Sequence, residues 1–193
     1  SGARHAPRPR PEAMELVPYL VAQAHNNHWS NHRLHTACAA LSAEDYHAQR
    51  PSFFGSIHAH LDHIVVVDWL YLERLTGEAL LPKPLPEPLH AELPQLTRDQ
   101  TNADRALIKF CEEVAPQRLD STVSFTLASG ALYTERVADV LAHLFQHQIH
   151  HRGQVHALLS ATPVPPPQLD EFHMAGDLPY RVEELRTLGL AEG

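Results

Sequence analysis

The chain has 193 residues, 44% of them hydrophobic, enough for one sizeable core and most simply a single domain. Its formal charge of −8 lacks the clustered Lys and Arg that phosphate binding needs, which argues against a nucleic-acid partner. No apolar run approaches the roughly 20 residues of a membrane span and no charged-then-apolar leader opens the chain, so the expectation is a soluble, cytoplasmic protein with no membrane partner.

Residues 1–13 are rich in Pro and Arg without apolar period and read as a tag remnant or disordered leader. Residues 14–162 read as the folded unit, and residues 163–193 as a Pro-rich tail with a short helix near 179–188 that packs on it. From Glu15 to Leu41 the residues Leu16, Leu20, Ala24, Leu34, Cys38 and Leu41 recur at helical spacing, with Pro18 tolerated in the first turn. Ser42 to Asp45 reads as a capped turn, and Arg50-Pro51 punctuates the start of a second helix from Ser52 to Thr76, stopped by Gly77.

Pro82, Pro84, Pro86, Pro88 and Pro94 make residues 80–94 a long extended connection. A third helix spans Leu96 to Val114, closed by Pro116. Between Asp120 and Tyr133, Val123, Phe125 and Leu127 alternate before a turn at Ser129-Gly130, the pattern of a small β-hairpin or extended crossover. A fourth helix runs from Thr134 to Ser160, ended by Pro163 and Pro165 to Pro167. The fold class is therefore all-α, an antiparallel four-helix bundle with a small β-hairpin or extended segment before the last helix. Cys38 and Cys111 lie in separate helical patterns and read as buried thiols rather than a disulfide.

The chemistry concentrates in His147-Gln-Ile-His150-His151-Arg152-Gly153-Gln154. At about 3.6 residues per turn, His147 and His151 lie only about 40° apart on one face, so two neutral imidazoles can share a divalent transition metal. Gln148 stands where a zinc-protease helix has its Glu, so that reading fails. A third ligand is sought on the second helix, where His63 lies among Ile64, Val66 and Val67 on a half-buried face; His60 and His58 are the alternatives. His143 is one turn before His147, but His143 and His151 diverge by roughly 80°, too far for one ion, so His143 is placed in a second shell or in packing. His150 and His156 read as surface or hydrogen-bonding groups. Gly153 suits close approach of a neighbouring helix or of a dimer partner, while Arg152 and Gln154 read as groups holding helix ends or carboxylates. His25, His28, His32 and His35 form a stripe on the first helix that lines the bundle surface or a pocket edge, with a second metal site as the bolder reading.

Taken together, Trp29-Ser-Asn31, Ser52-Phe-Phe-Gly-Ser-Ile, Leu61-Asp-His63 with Asp68, and the run His143 to His156 resemble the DinB family of damage-inducible proteins. The resemblance implies an up-down-down-up bundle, often a homodimer, holding one divalent metal on three His, which fall on His63, His147 and His151 here. The metal would be Zn or Ni, with Fe, Co and Mn also suited to such ligands. Asp62, where relatives often have Asn, would add negative charge beside the metal, and Asn26 alters a pocket wall; Trp29 and Asn31 are placed in that wall or in packing. Relatives in the wider superfamily are similar to S-transferases and isomerases that use low-molecular-weight thiols, which implies a thiol activated for attack on a small electrophile. Three functional classes follow. One is a metal-dependent thiol transferase or hydrolase, the second a metal- or ligand-binding stress protein without turnover, and the third a bundle stapled by a purely structural metal.

Overall fold

Helix ends are set by local chemistry in the computed structural model, which describes residues 15–127 and 129–190; the expected leader lies outside the described residues. Helix α1 (Leu16–Cys38) takes Pro18 in its first turn, where no amide partner is lost. Ser42 caps the short helix α2 (Ala43–His47) by accepting from the Asp45 amide at 3.0 Å. Ser56 does the same for α3 (Ile57–Thr76), accepting from Ala59 at 3.1 Å, and Gly77 ends α3 in the left-handed region at φ 79°. Helices α4 (Leu93–Glu113) and α5 (Pro116–Leu119) both carry a proline in their first turn. Strands β1 (Thr122–Thr126) and β2 (Leu132–Arg136) form an antiparallel hairpin, followed by α6 (Val137–Leu159) and the tail helix α7 (Leu178–Leu188).

Cross-helix bonds give the topology. His25 meets Glu112 and His35 meets Thr97, so α1 and α4 are antiparallel. His63 meets His147 while Tyr71 meets His143, so α3 and α6 are antiparallel. Asp62 meets Asp99's partner His90, and Asp68 meets Gln100, so α3 and α4 run the same way. The order is up-down-down-up, with α1 between α4 and α6 and α3 between the same two. The parallel α3/α4 pair requires the long proline-rich connection between them.

The interior has two apolar clusters. One gathers Leu20, Ala24, Leu72, Leu75, Leu107, Leu141 and Leu144; the other gathers Leu34, Cys38, Ile57, Leu61, Ile64, Leu96, Val155 and Leu159. Between them α1 contributes Asn27 and Asn31, α3 Asp68, α4 Gln100 and Asp104, and α6 Gln148 and Arg152, all buried. Cys38 and Cys111 are separate buried thiols, each pushed up to about 12 by burial. Among the described residues no helix is long and apolar enough to cross a membrane.

Several sequence boundaries shift, most of them for identifiable reasons; the first long helix ends at Cys38 rather than Leu41. The second long helix begins at Ile57 rather than Ser52, because Ser56 caps it and residues 51–56 form a bent loop. The third begins at Leu93, since Pro94 sits in the first turn rather than in the crossover, and Pro116 opens α5 rather than only closing α4. The fourth begins at Val137, because ladder pairing of Thr122 with Arg136 and of Phe125 with Tyr133 holds residues 132–136 extended. Gly153 has nothing within 4 Å of where a side chain would start, so among the described residues no neighbouring helix packs closely against it.

Candidate metal centre

Antiparallel packing of α3 on α6 brings His63 opposite the gap between His147 and His151, two residues that helical spacing alone places on one face. One ring nitrogen of each lies within 4.8 Å of the other two. His63 Nε2 and His147 Nε2 are 3.1 Å apart, and the His147 and His151 ring centres are 4.3 Å apart. Three nitrogens each about 2.1 Å from one tetrahedral ion would be about 3.4 Å from one another, so the cluster needs only small adjustments to hold one.

The neighbours fix how the rings present themselves. His151 donates its Nδ1–H to Gln154 Oε1 at 2.7 Å, which leaves the Nε2 lone pair for the cluster. His60, one turn before His63, donates its Nδ1–H to the Ser56 carbonyl at 2.7 Å, and its Nε2 is buried without a partner. The Phe54 ring packs on His63 at 4.3 Å, on His60 at 5.1 Å and on His151 at 5.6 Å, giving the cluster an apolar wall. Burial, then neighbouring imidazoles, holds His63 at about 4 and His147 at about 3; burial also lowers His151. All three are neutral near pH 7, the form that ligates a metal. His147 Nδ1 is buried without a partner. Three facing neutral imidazoles suit a divalent cation.

The other sequence candidates are placed elsewhere. His143 is exposed and stacks on Tyr71 at 5.7 Å, one turn along α6. Asp62 turns to the crossover, accepting from the Leu89 and His90 amides at 2.9 Å and from His90 Nδ1 at 3.2 Å; its charge is the smallest of the influences named for His63. Trp29 is buried against Phe172 and donates its Nε1–H to Glu184 at 2.6 Å, so it docks the tail on α1. Asn31 donates to Asp104 at 2.9 Å in the central polar layer. His58 bonds Tyr46, and Asn26 faces His173 of the tail. The His stripe of α1 is dispersed: His28 bonds Asp104 and His35 bonds Thr97, with burial lowering His35 to about 4.

Sequence reasoning missed the polar layer itself. Asp104 Oδ1 accepts from Asn27, Asn31 and Gln100 at 2.9 to 3.0 Å, and Oδ2 accepts from His28 Nδ1 at 3.0 Å. Asp68 accepts from Gln100 and Gln148, both at 2.7 Å. Arg152 donates to Asn27 and Asn31 and is fully charged, although burial lowers it to about 10. A signal was present: on α1 the core positions Leu20, Ala24, Asn27, Asn31, Leu34 and Cys38 keep an alternating four-three spacing, so the two Asn occupy core register. Asp68, Gln100 with Asp104, and Gln148 with Arg152 do the same on the other three helices.

Fold and cluster together define an up-down-down-up four-helix bundle with a three-His arrangement, compatible with metal binding, across two of its helices. The model of the DinB family matches residues 20–179, and the chain belongs to that family. It is similar to Protein DinB of Bacillus subtilis (strain 168), with 25% identity over 139 residues, covering 69% of this chain and 80% of that protein.

Proposed function

We propose that His63, His147 and His151 hold one divalent transition metal, Zn or Ni in the first instance, and that the chain uses it as a metal-dependent S-transferase or hydrolase on a small electrophile. The observation that carries this reading is the convergence of three neutral imidazoles from two helices, with one ring nitrogen of each within 4.8 Å of the other two. Bound there, a divalent ion supplies Lewis acidity, which favours the deprotonated form of a coordinating thiol or water at neutral pH. The chain's own residues do the rest. Gln154 fixes the tautomer and direction of His151. Phe54 covers His63 and His151 with an apolar ring that limits water at that side. Three protein ligands leave a coordination position for a substrate, as in catalytic rather than structural zinc sites.

Elemental analysis of tag-free protein purified without a nickel column tests the metal. About one divalent metal per chain, lost in both His63→Ala and His147→Ala, is the expected result. Metal-free protein even after incubation with zinc and nickel would end the proposal. Turnover is then tested with a panel of low-molecular-weight thiols and alkylating electrophiles, following thiol loss with and without metal. No metal-dependent loss in loaded protein would leave a binding or stapling role in place of the enzyme.

A further inference from the structure

A cavity of about 590 Å³ opens between α1, α2 and α4, and none of His63, His147 and His151 lines it. The volume is that of an ordinary small-molecule site. In the ring of helices, the three-His cluster spans α3 and α6 while this cavity lies on the α1/α4 pair, across the bundle. We propose that this cavity is a second ligand site, separate from the three-His cluster, that takes a small uncharged or cationic organic molecule bearing N–H donors, such as an amine, amide or amino-heterocycle, and rejects carboxylates and phosphates. The proposal stands whether or not the cluster holds a metal.

The donor requirement follows from the lining. His28 and Gln100 both line the cavity, are 2% and 1% exposed, and each carries a buried polar atom without a partner: His28 Nε2 and Gln100 Oε1. Their neighbours decide what those atoms can do. His28 donates Nδ1–H to Asp104, so as a neutral imidazole its Nε2 presents a lone pair. Gln100 donates from Nε2 to both Asp68 and Asp104, so its Oε1 can only accept. Two buried acceptors without donors cost free energy that a donor-bearing ligand would recover, after the small side-chain shifts that binding commonly brings. Asp104, already accepting from four side chains, adds a negative charge nearby. No Lys or Arg is among the lining residues while Glu92 and Asp104 are, so the fixed charge of the lining opposes an anionic ligand. Leu41, Tyr46 and Leu93 give the walls an apolar surface for the body of the ligand.

The test uses benzamidine, 2-aminopyridine and tyramine as probes and benzoate as the anionic control, titrated into isotopically labelled full-length protein followed by amide chemical shifts. Three proteins are compared: the parent, Thr36→Trp and His63→Ala. Thr36 is exposed and lines the cavity, so the indole obstructs the site without entering the core. Expected are saturable shifts concentrated in residues 28–47 and 92–104 for at least one probe. Affinity should fall at least about tenfold in Thr36→Trp and stay unchanged in His63→Ala, with no response to benzoate. Absence of saturable binding by every probe at millimolar concentration, binding lost in His63→Ala, undiminished binding in Thr36→Trp, or equal binding of benzoate would each overturn the proposal. A folded Thr36→Trp is verified by its own spectrum, and the shift map of the parent decides the location independently of that variant.

Discussion

Two polar clusters sit side by side at the level of His147 to Arg152 on α6, and their hydrogen-bond arithmetic is opposite. Around Asp104, a single carboxylate accepts from Asn27, Asn31, Gln100 and His28, so the buried charge itself is fully answered by donors. Around His63, His147 and His151, neutral imidazoles face one another with no carboxylate in the cluster; His63 Nε2 and His147 Nε2 pair at 3.1 Å while His147 Nδ1 has no partner. The first cluster ties four helices together; the second is incomplete without something cationic between its members. Burial by itself does not separate a structural polar group from a binding one, whereas the balance of donors and acceptors does.

Removing the centre of the Asp104 cluster should have the largest effect. Asp104→Ala leaves four buried donors unanswered and takes a countercharge from Arg152, so a loss of about 3–5 kcal/mol in urea unfolding, or failure to fold, is expected. Metal-free His63→Ala should lie within about 1 kcal/mol of its parent. Equal losses in the two variants would erase the distinction.

A pH dependence belongs to the Asp104 cluster too. Burial, then Asp104, raises Asp68 from its ordinary 3.8 to about 7 against the hydrogen bonds of Gln100 and Gln148. The folded carboxyl therefore keeps a proton that the unfolded chain has released. Asp68's own contribution to stability therefore falls by a few kcal/mol as pH rises from about 4 to about 7, opposed by the lowered His35, His63 and His147, whose contributions rise over the same window. Asp68→Asn should remove that contribution and so steepen the net rise of stability with pH between about 4 and 7, because an amide does not titrate and Gln148, whose Oε1 has no partner, can rotate to accept from it. An unchanged slope in the variant would assign the titration to another group.

The incomplete cluster should respond to metal. At a free zinc concentration about 100 times the dissociation constant, stability should rise by about 2.7 kcal/mol in thermal melts of the parent and not at all in His147→Ala. A smaller effect sharpens the picture: Gln154→Ala should weaken metal binding about 10–100-fold in competition with a chelating dye, through loss of the His151 Nδ1–H acceptor, while the melt of the metal-free protein barely moves. Affinity unchanged in Gln154→Ala would mean that packing against Phe54 alone orients His151.

What the amino-acid sequence determined here is what lies within one helix. Four long helices, the turn at Gly77, the hairpin and the facing of His147 and His151 follow from periodicity and caps, all properties of residues a few positions apart. Strand β2 ran past its expected end because its extension depends on pairing with β1, a contact between residues as far apart as Thr122 and Arg136. Which His of the second long helix joins His147 and His151 depends on the packing register of α3 against α6. One turn of difference would have offered His60, which instead bonds Ser56. The Asp104 network illustrates the same limit: Asn27, Asp68, Gln100 and Arg152 stand in core register on four separate helices, and each by itself is an unfavourable burial. Only the tertiary structure decides that they meet, because a buried polar group becomes tolerable through partners supplied by other helices, and side-chain geometry across an interface is not written in the spacing along any one of them.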